Sequence, residues 1–296
     1  MAVSELLKLV LGASALMAAL AAPVLAQDNQ KRPGPGPDVL VLGDSQISFG
    51  AGRVYNEFFS DIENRCRPYD YTGLGLPALR GASVASLGVR STGLHSWVAT
   101  DEQTKKTICE VDKKYGVNAG VYGVAGNPDR KFVQMGKGPH YQFCTPHRSP
   151  FQEMFGGGYY TPDLFVMAFL GNATERWANN PTTAQRDVTL TLSQLPRGMP
   201  CIFMTTVPVH GAKVNAERAQ AQANIKAAFE RFGRCSFVEG FTPAVISEIE
   251  GNAKFFSRRE NGSVKDPFHP KPSAVRRFVE LNTPSLCRAV FDQLNR

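Results

Sequence analysis

No two of the six cysteines (Cys66, Cys109, Cys144, Cys201, Cys235, Cys287) form a C-x-x-C pair. The five histidines (His95, His140, His147, His210, His269) show neither H-x-H nor H-E-x-x-H spacing, which argues against a structural zinc site. No internal repeat recurs at solenoid or propeller periods, so repeat architectures are set aside. The chain carries a net charge of +7 but has no basic arm, since "KTICEVDKKYG" and "FSRREN" are short mixed clusters. That dispersion reads as a solvated surface and gives no basis for nucleic-acid binding. Long apolar runs are also scarce: one stretch, residues 9–26, stands out, and no amphipathic apolar lid is apparent elsewhere.

That run sits at the N-terminus behind Lys8 and ends in Val24-Leu25-Ala26, small or apolar residues of the kind a signal peptidase accepts. Residues 1–26 are therefore expected to be a signal peptide cleaved after Ala26. A retained anchor is the alternative, although the run falls a little short of the ~20 residues a spanning helix needs. The segment contains one Lys and one Glu, so its removal leaves the charge at +7. Secretion or a periplasmic location follows, with no membrane span after cleavage. An even cysteine count in an exported chain favours disulfides. Residues 27–37, "QDNQKRPGPGP", form a proline-rich, extended leader.

From residue 38 onward short apolar runs alternate with helical patterns. "DVLVLG" (38–43), "SVASLGV" (83–89), "DLFVMAFLG" (163–171), "CIFMTTVPV" (201–209) and "CSFVEGF" (235–241) read as strands. Helices are expected over 51–65, 182–195, 212–233, 242–250 and from Ser273 onward, after "HPKP". Alternation of this kind predicts a three-layer α/β/α domain over 38–296 with a five-stranded, mostly parallel sheet. Residues 94–162 break the rhythm and read as a long insertion after strand two. Cys109–Cys144 would staple that insertion. Cys201 and Cys235 begin neighbouring strands and are expected to pair, leaving Cys66 for Cys287.

In an open α/β sheet, ligands bind at the carboxyl ends of the strands. Gly43-Asp44-Ser45 ends the first strand, Gly93 follows the second, Asn172 follows the third, and "DPFH" (Asp266 to His269) precedes the last helix. Taken singly, these are ordinary cap and turn residues. Together they resemble the four blocks of the SGNH (GDSL-type) hydrolases, over about residues 38–294. The G-x-S-x-G elbow of α/β-hydrolases is absent at Ser45, because position 47 is Ile.

The resemblance implies a flavodoxin-like fold and a serine esterase needing no metal or organic cofactor. Ser45 would be the nucleophile, His269 the base, and Asp266 the group that orients the base. The oxyanion hole would comprise the Ser45 and Gly93 backbone N–H groups and the Asn172 amide, with Gly88 as the alternative glycine. The sequence departs from the family pattern at Gln46, where leucine is usual, and at Leu170 and Ala173 in the third block. The Asn172 sequon is read as chance. A short-chain ester, acetyl above all, on a carbohydrate is the expected substrate. A lipase or thioesterase, or an idle binding protein of this fold, is the alternative. His95, His140 and His147 read as incidental, the 217–229 stretch as a helix face, and Trp97 and Trp177 as sugar-stacking or core residues.

Overall fold

Strand β1 (Val39–Gly43) is buried at every position, as are β5 (Leu164–Ala168) and β6 (Cys201–Met204). Such runs suit parallel strands covered on both faces. The computed structural model describes residues 37–69, 79, 82–108, 120–122, 133–134, 145–156, 158 and 160–296. The expected signal peptide, the leader up to residue 36, nearly half of the insertion, His140 and the Cys109–Cys144 pair lie outside the described residues.

The remaining sheet strands are β2 (Val84–Gly88), β3 (Gly120–Tyr122), β4 (Val133–Gln134) and β7 (Ser236–Val238), in the order β4-β3-β2-β1-β5-β6-β7. The five strands β2-β1-β5-β6-β7 pair in parallel, as the alternating pattern predicts. Counted in chain order they run 2-1-3-4-5, the flavodoxin-type arrangement. The insertion adds β3 and β4, which pair antiparallel at the β2 edge and widen the sheet to seven strands.

Along the chain the helices are α1 (Gly52–Ser60), α2 (Ile62–Cys66), α3 (Leu94–Val98), α4 (Pro150–Gly156), α5 (Thr174–Asn179), α6 (Pro181–Gln194), α7 (Ala212–Phe232), α8 (Pro243–Ile249) and α9 (Pro272–Leu294). Local chemistry sets their ends. Asn180 caps α6 by accepting from the Thr183 N–H, with Pro181 at the first helical position. Gly233, in the left-handed region at φ 60°, ends α7.

Alternation along β1 divides the core. Val39 and Val41 face a cluster with Phe58 of α1, Val245 of α8 and Phe278 of α9. Leu40 and Leu42 face the opposite cluster with Trp97, Phe151, Trp177, Val188 and Phe229. Cys66–Cys287 links α2 to α9, and Cys201–Cys235 links the start of β6 to the residue before β7, both as expected.

Three small residues, Gly88, Gly43 and Ala168, lie side by side at the carboxyl ends of β2, β1 and β5. A Cβ on Gly43 would lie 2.2 Å from Ile47 Cγ1, and one on Gly88 would lie 2.5 Å from the Ser48 nitrogen. Both glycines let the chain after β1 fold tightly over the strand ends. That turn carries Ser45.

Candidate active site

The turn that carries Ser45 is built from its own backbone. Asp44 is buried, and its Oδ1 accepts the Gln46 N–H at 2.9 Å. The Ser45 carbonyl accepts from Ser48 Oγ at 3.0 Å. Ser45 itself is partly exposed, on a cleft of about 400 Å³ whose walls include Arg90, Ser91, Asn172, Arg218 and His269. The cleft lies where β1 and β5 end, the switch point of a 2-1-3-4-5 sheet.

A short hairpin of β8 (Ser257–Arg258) and β9 (Val264–Asp266) delivers Asp266 at its end. Asp266 Oδ1 accepts the backbone N–H groups of Phe268 at 3.0 Å and His269 at 3.1 Å. This Asx-type turn folds the loop back on itself. Asp266 Oδ2 lies 2.8 Å from His269 Nδ1, and His269 Nε2 lies 3.0 Å from Ser45 Oγ. Partial burial acts to raise the Asp266 pKa, but hydrogen bonds from the His269 ring and the Phe268 N–H outweigh it, and the net shift is downward. Asp266 is therefore an anion at neutral pH. It fixes the proton on Nδ1 and leaves the Nε2 lone pair toward the serine hydroxyl.

Gln46, where the resembling family has leucine, bridges the two segments. Its Nε2 donates to the Val207 carbonyl at 3.1 Å and to the Phe268 carbonyl at 3.2 Å. The Phe49 ring packs against the His269 ring, with centroids 4.4 Å apart, and the Arg90 guanidinium lies over the Phe49 ring, 4.6 Å from its centroid.

Asn172 sits in a tight turn, Gly171–Ala173, beyond β5 with Phe169 and Leu170 between. Its Nδ2 donates one N–H to the Thr92 carbonyl at 2.9 Å, which fixes the amide and leaves its second N–H. The structure thus brings Ser45, His269 and Asn172 to one cleft, with Asp266 bonded to His269 from behind its lining. Gly93 is not among the residues lining it: the glycine is buried at the start of α3, and its N–H donates to Ser96 Oγ at 3.3 Å. Gly88 is committed to packing under Ile47 and Ser48.

Both tryptophans are fully buried core residues. Trp97 Nε1 donates to Thr92 Oγ1 at 3.2 Å, and Trp177 Nε1 donates to Asp187 Oδ2 at 2.9 Å. His95 is buried and pairs with Asp187 at 3.1 Å, whereas exposed His147 lies 2.8 Å from Glu102. Among the described residues, no group of three or more His, Cys, Asp or Glu is placed to hold a metal ion.

Arg218 is the site residue that sequence reasoning missed, within the stretch taken for a plain helix face. It is buried, lines the cleft, and donates from Nη1 to the Val207 carbonyl at 3.3 Å. Gly171 leaves room for it, since a Cβ there would lie 2.9 Å from Arg218 Nη2 and 3.5 Å from Asp44 Oδ2. Burial lowers the Arg218 pKa to about 10, against the pull of Asp44, so it remains a cation at neutral pH. Burial raises the Asp44 pKa, opposed by the Gln46 N–H and the Arg218 charge. A signal existed: Arg218 shares the 3.6-residue stripe of buried Ala221, Gln222, Ile225 and Phe229.

No family model matches the sequence, and no curated protein matches it significantly. Solved structures do. A DUF4886 family protein from Bacteroides uniformis ATCC 8492 is similar over 87% of this chain and 92% of its own, at 9% identity and a TM-score of 0.42. A family two carbohydrate esterase from Clostridium thermocellum, in complex with cellohexaose, is similar over 86% of this chain and 64% of its own, at 12% identity and a TM-score of 0.38.

Proposed function

We propose that this chain is an exported serine esterase that removes short acyl groups, acetyl above all, from carbohydrate. One observation carries the proposal: the unbroken hydrogen-bonded run from Ser45 Oγ through His269 to Asp266. Ser45 Oγ attacks the ester carbonyl as His269 Nε2 takes its proton. Asp266 holds the imidazole in the required tautomer and stabilises the imidazolium. The second N–H of Asn172 and the Ser45 N–H meet the developing oxyanion. His269 then gives its proton to the departing alcohol, and water repeats the sequence on the acyl-enzyme.

The lining of the cleft supports the substrate class. Its volume of about 400 Å³ is at the small end for ligand sites. Arg90, Glu175 and Glu217 line it, and among the described residues none of them is in an ion pair. Polar groups of this kind suit a hydroxyl-rich alcohol better than a long acyl chain. Phe268, 49% exposed beside His269, offers a ring face on the side where the alcohol departs. The two disulfides are in keeping with an oxidising compartment.

The test is a series of p-nitrophenyl esters of rising chain length, run alongside O-acetylated glycans, after fluorophosphonate labelling has counted active sites. Turnover should be highest for acetate, with acetate released from the glycans. A steady rise toward long chains with the glycans untouched would refute the substrate assignment. A folded protein that resists the fluorophosphonate would refute the esterase itself.

A further inference from the structure

The loop between β2 and α3 holds a residue that neither the turn nor the core explains. Ser91 adopts φ 60°, a left-handed backbone that costs a side-chain-bearing residue free energy a glycine would be spared. Among the described residues one other non-glycine, His147, has a positive φ. Ser91 is exposed and lines the cleft. Its neighbours are pinned on both sides. The Val89 N–H donates to the Gly43 carbonyl at 3.1 Å, and Thr92 Oγ1 donates to the Val89 carbonyl at 2.7 Å. The Thr92 carbonyl in turn accepts the Asn172 amide. Ser91 is therefore held rigidly on the cleft wall, one residue from the anchor of Asn172. Among the described residues, no partner accepts from its N–H or engages its hydroxyl. Gly93, by contrast, has given its N–H to Ser96 and lies off the cleft.

We propose that the backbone N–H of Ser91 is the second main-chain donor of the oxyanion hole, in the role that the family resemblance would give to Gly93. This rests on the esterase reading of the same cleft. As the bond from Ser45 Oγ to the acyl carbon forms, the carbonyl π electrons move to oxygen and the hydroxyl proton goes to His269. The new negative charge accepts hydrogen bonds from Ser91, Ser45 and Asn172. When the tetrahedral species collapses, the carbon–alcohol bond breaks, His269 protonates the alcohol, and the Ser91 N–H keeps its proton throughout. The strained backbone is retained because it presents this donor without a hydrogen-bond partner that must first be displaced.

The test exchanges one amide at a time for an ester, by incorporating the α-hydroxy analogue of serine at position 91 or of glycine at position 93. Each exchange removes one N–H and leaves the side chain alone. With p-nitrophenyl acetate, the exchange at 91 should lower kcat about 100-fold with KM changed less than about threefold, the signature of a donor used in the transition state. The exchange at 93 also weakens the Thr92 carbonyl that accepts from Asn172, so it should lower kcat by less than about tenfold, well short of the exchange at 91. Matching thermal midpoints exclude loss of fold as the cause. A variant-free check uses the 15N-labelled protein: on forming a phosphonate adduct, the Ser91 amide proton should move downfield while that of Gly93 stays near its place. Full activity of the 91 ester, damage confined to the 93 ester, or an unmoved Ser91 resonance in the adduct would each overturn the assignment while leaving the esterase standing. A wild-type chain that neither turns over the ester nor reacts with the phosphonate would overturn both.

Discussion

The cleft has two walls, built on different principles. On the proposed acid–base wall, Asp266 is bonded to both Phe268 and His269 within four consecutive residues, and Gln46 ties that loop to the turn that carries Ser45. On the proposed oxyanion wall, Asn172 reaches 80 residues back along the chain to Thr92, and Trp97 fixes Thr92 from α3. The first wall is local in sequence and closed on itself. The second depends on how three separate segments pack. A Ser…Asp-x-x-His pattern can therefore be recognised from the chain alone. The donor that will face a developing charge cannot be, because its direction is set by backbone angles and by which neighbouring hydroxyl takes which N–H.

The sharpest way to break this contrast is to remove the proposed reacting pair. Ser45→Ala and His269→Ala should each lower kcat/KM by about 10⁴-fold or more, with thermal midpoints close to wild type. Comparable rates in a folded Ser45→Ala protein would sink the proposed chemistry.

Next in size is Asp266→Asn, expected to lower kcat by about 10³–10⁴-fold by permitting the wrong imidazole tautomer. Its stability should also respond to pH with a defined sign. The folded-state pKa of Asp266 lies below the ordinary 3.8, so its ionised form stabilises the fold above that value. That contribution is lost as pH falls through the lowered folded value. The variant's midpoint should therefore fall less steeply than wild type below about pH 4. Parallel melting curves would show that Asp266 is not favoured as an anion in the fold.

On the oxyanion wall, Asn172→Ala should lower kcat by about 10²–10³-fold, equivalent to about 3–4 kcal/mol, with a smaller change in KM. A loss confined to KM would make Asn172 a binding residue only. The smallest effect is expected where the walls join. Gln46→Leu places there the residue usual in the family the sequence resembles, but strips a donor from the Val207 and Phe268 carbonyls. It should cost about 1–3 kcal/mol of stability and roughly tenfold in kcat, because His269 is less well held. An unchanged kcat would show that the Asx turn alone is enough to hold the loop.

The same division explains what the sequence revealed of the fold. Five apolar runs gave five parallel strands, because a strand buried on both faces must be apolar nearly throughout. Strands β3 and β4, three and two residues long, are too short to leave a periodic trace. Helices α3 and α5, five and six residues long, escaped notice for the same reason. Arg218 was hidden by its surroundings: alanine and glutamine make a good helix whichever way it faces, so one buried arginine changes composition little. Glycine after a strand serves as readily at a helix start, where Gly93 sits, as at an oxyanion, so the pattern alone does not choose between them. The Gly93 φ of −117° is open to any residue, whereas the uncommon backbone belongs to Ser91.

Ser45 precedes His269 by 224 residues, and Cys66 precedes its disulfide partner by 221. A chain made from its amino end therefore carries Ser45 long before it has the proposed base. At about 5–20 residues per second, the serine waits roughly 10–45 seconds for His269 to be added. The hydroxyl is inert through that interval, and the Cys66–Cys287 bond can close only after α9 has emerged nearly to its end. Under the proposed chemistry, competence comes late in synthesis: a polypeptide cut short before His269 should be chemically silent.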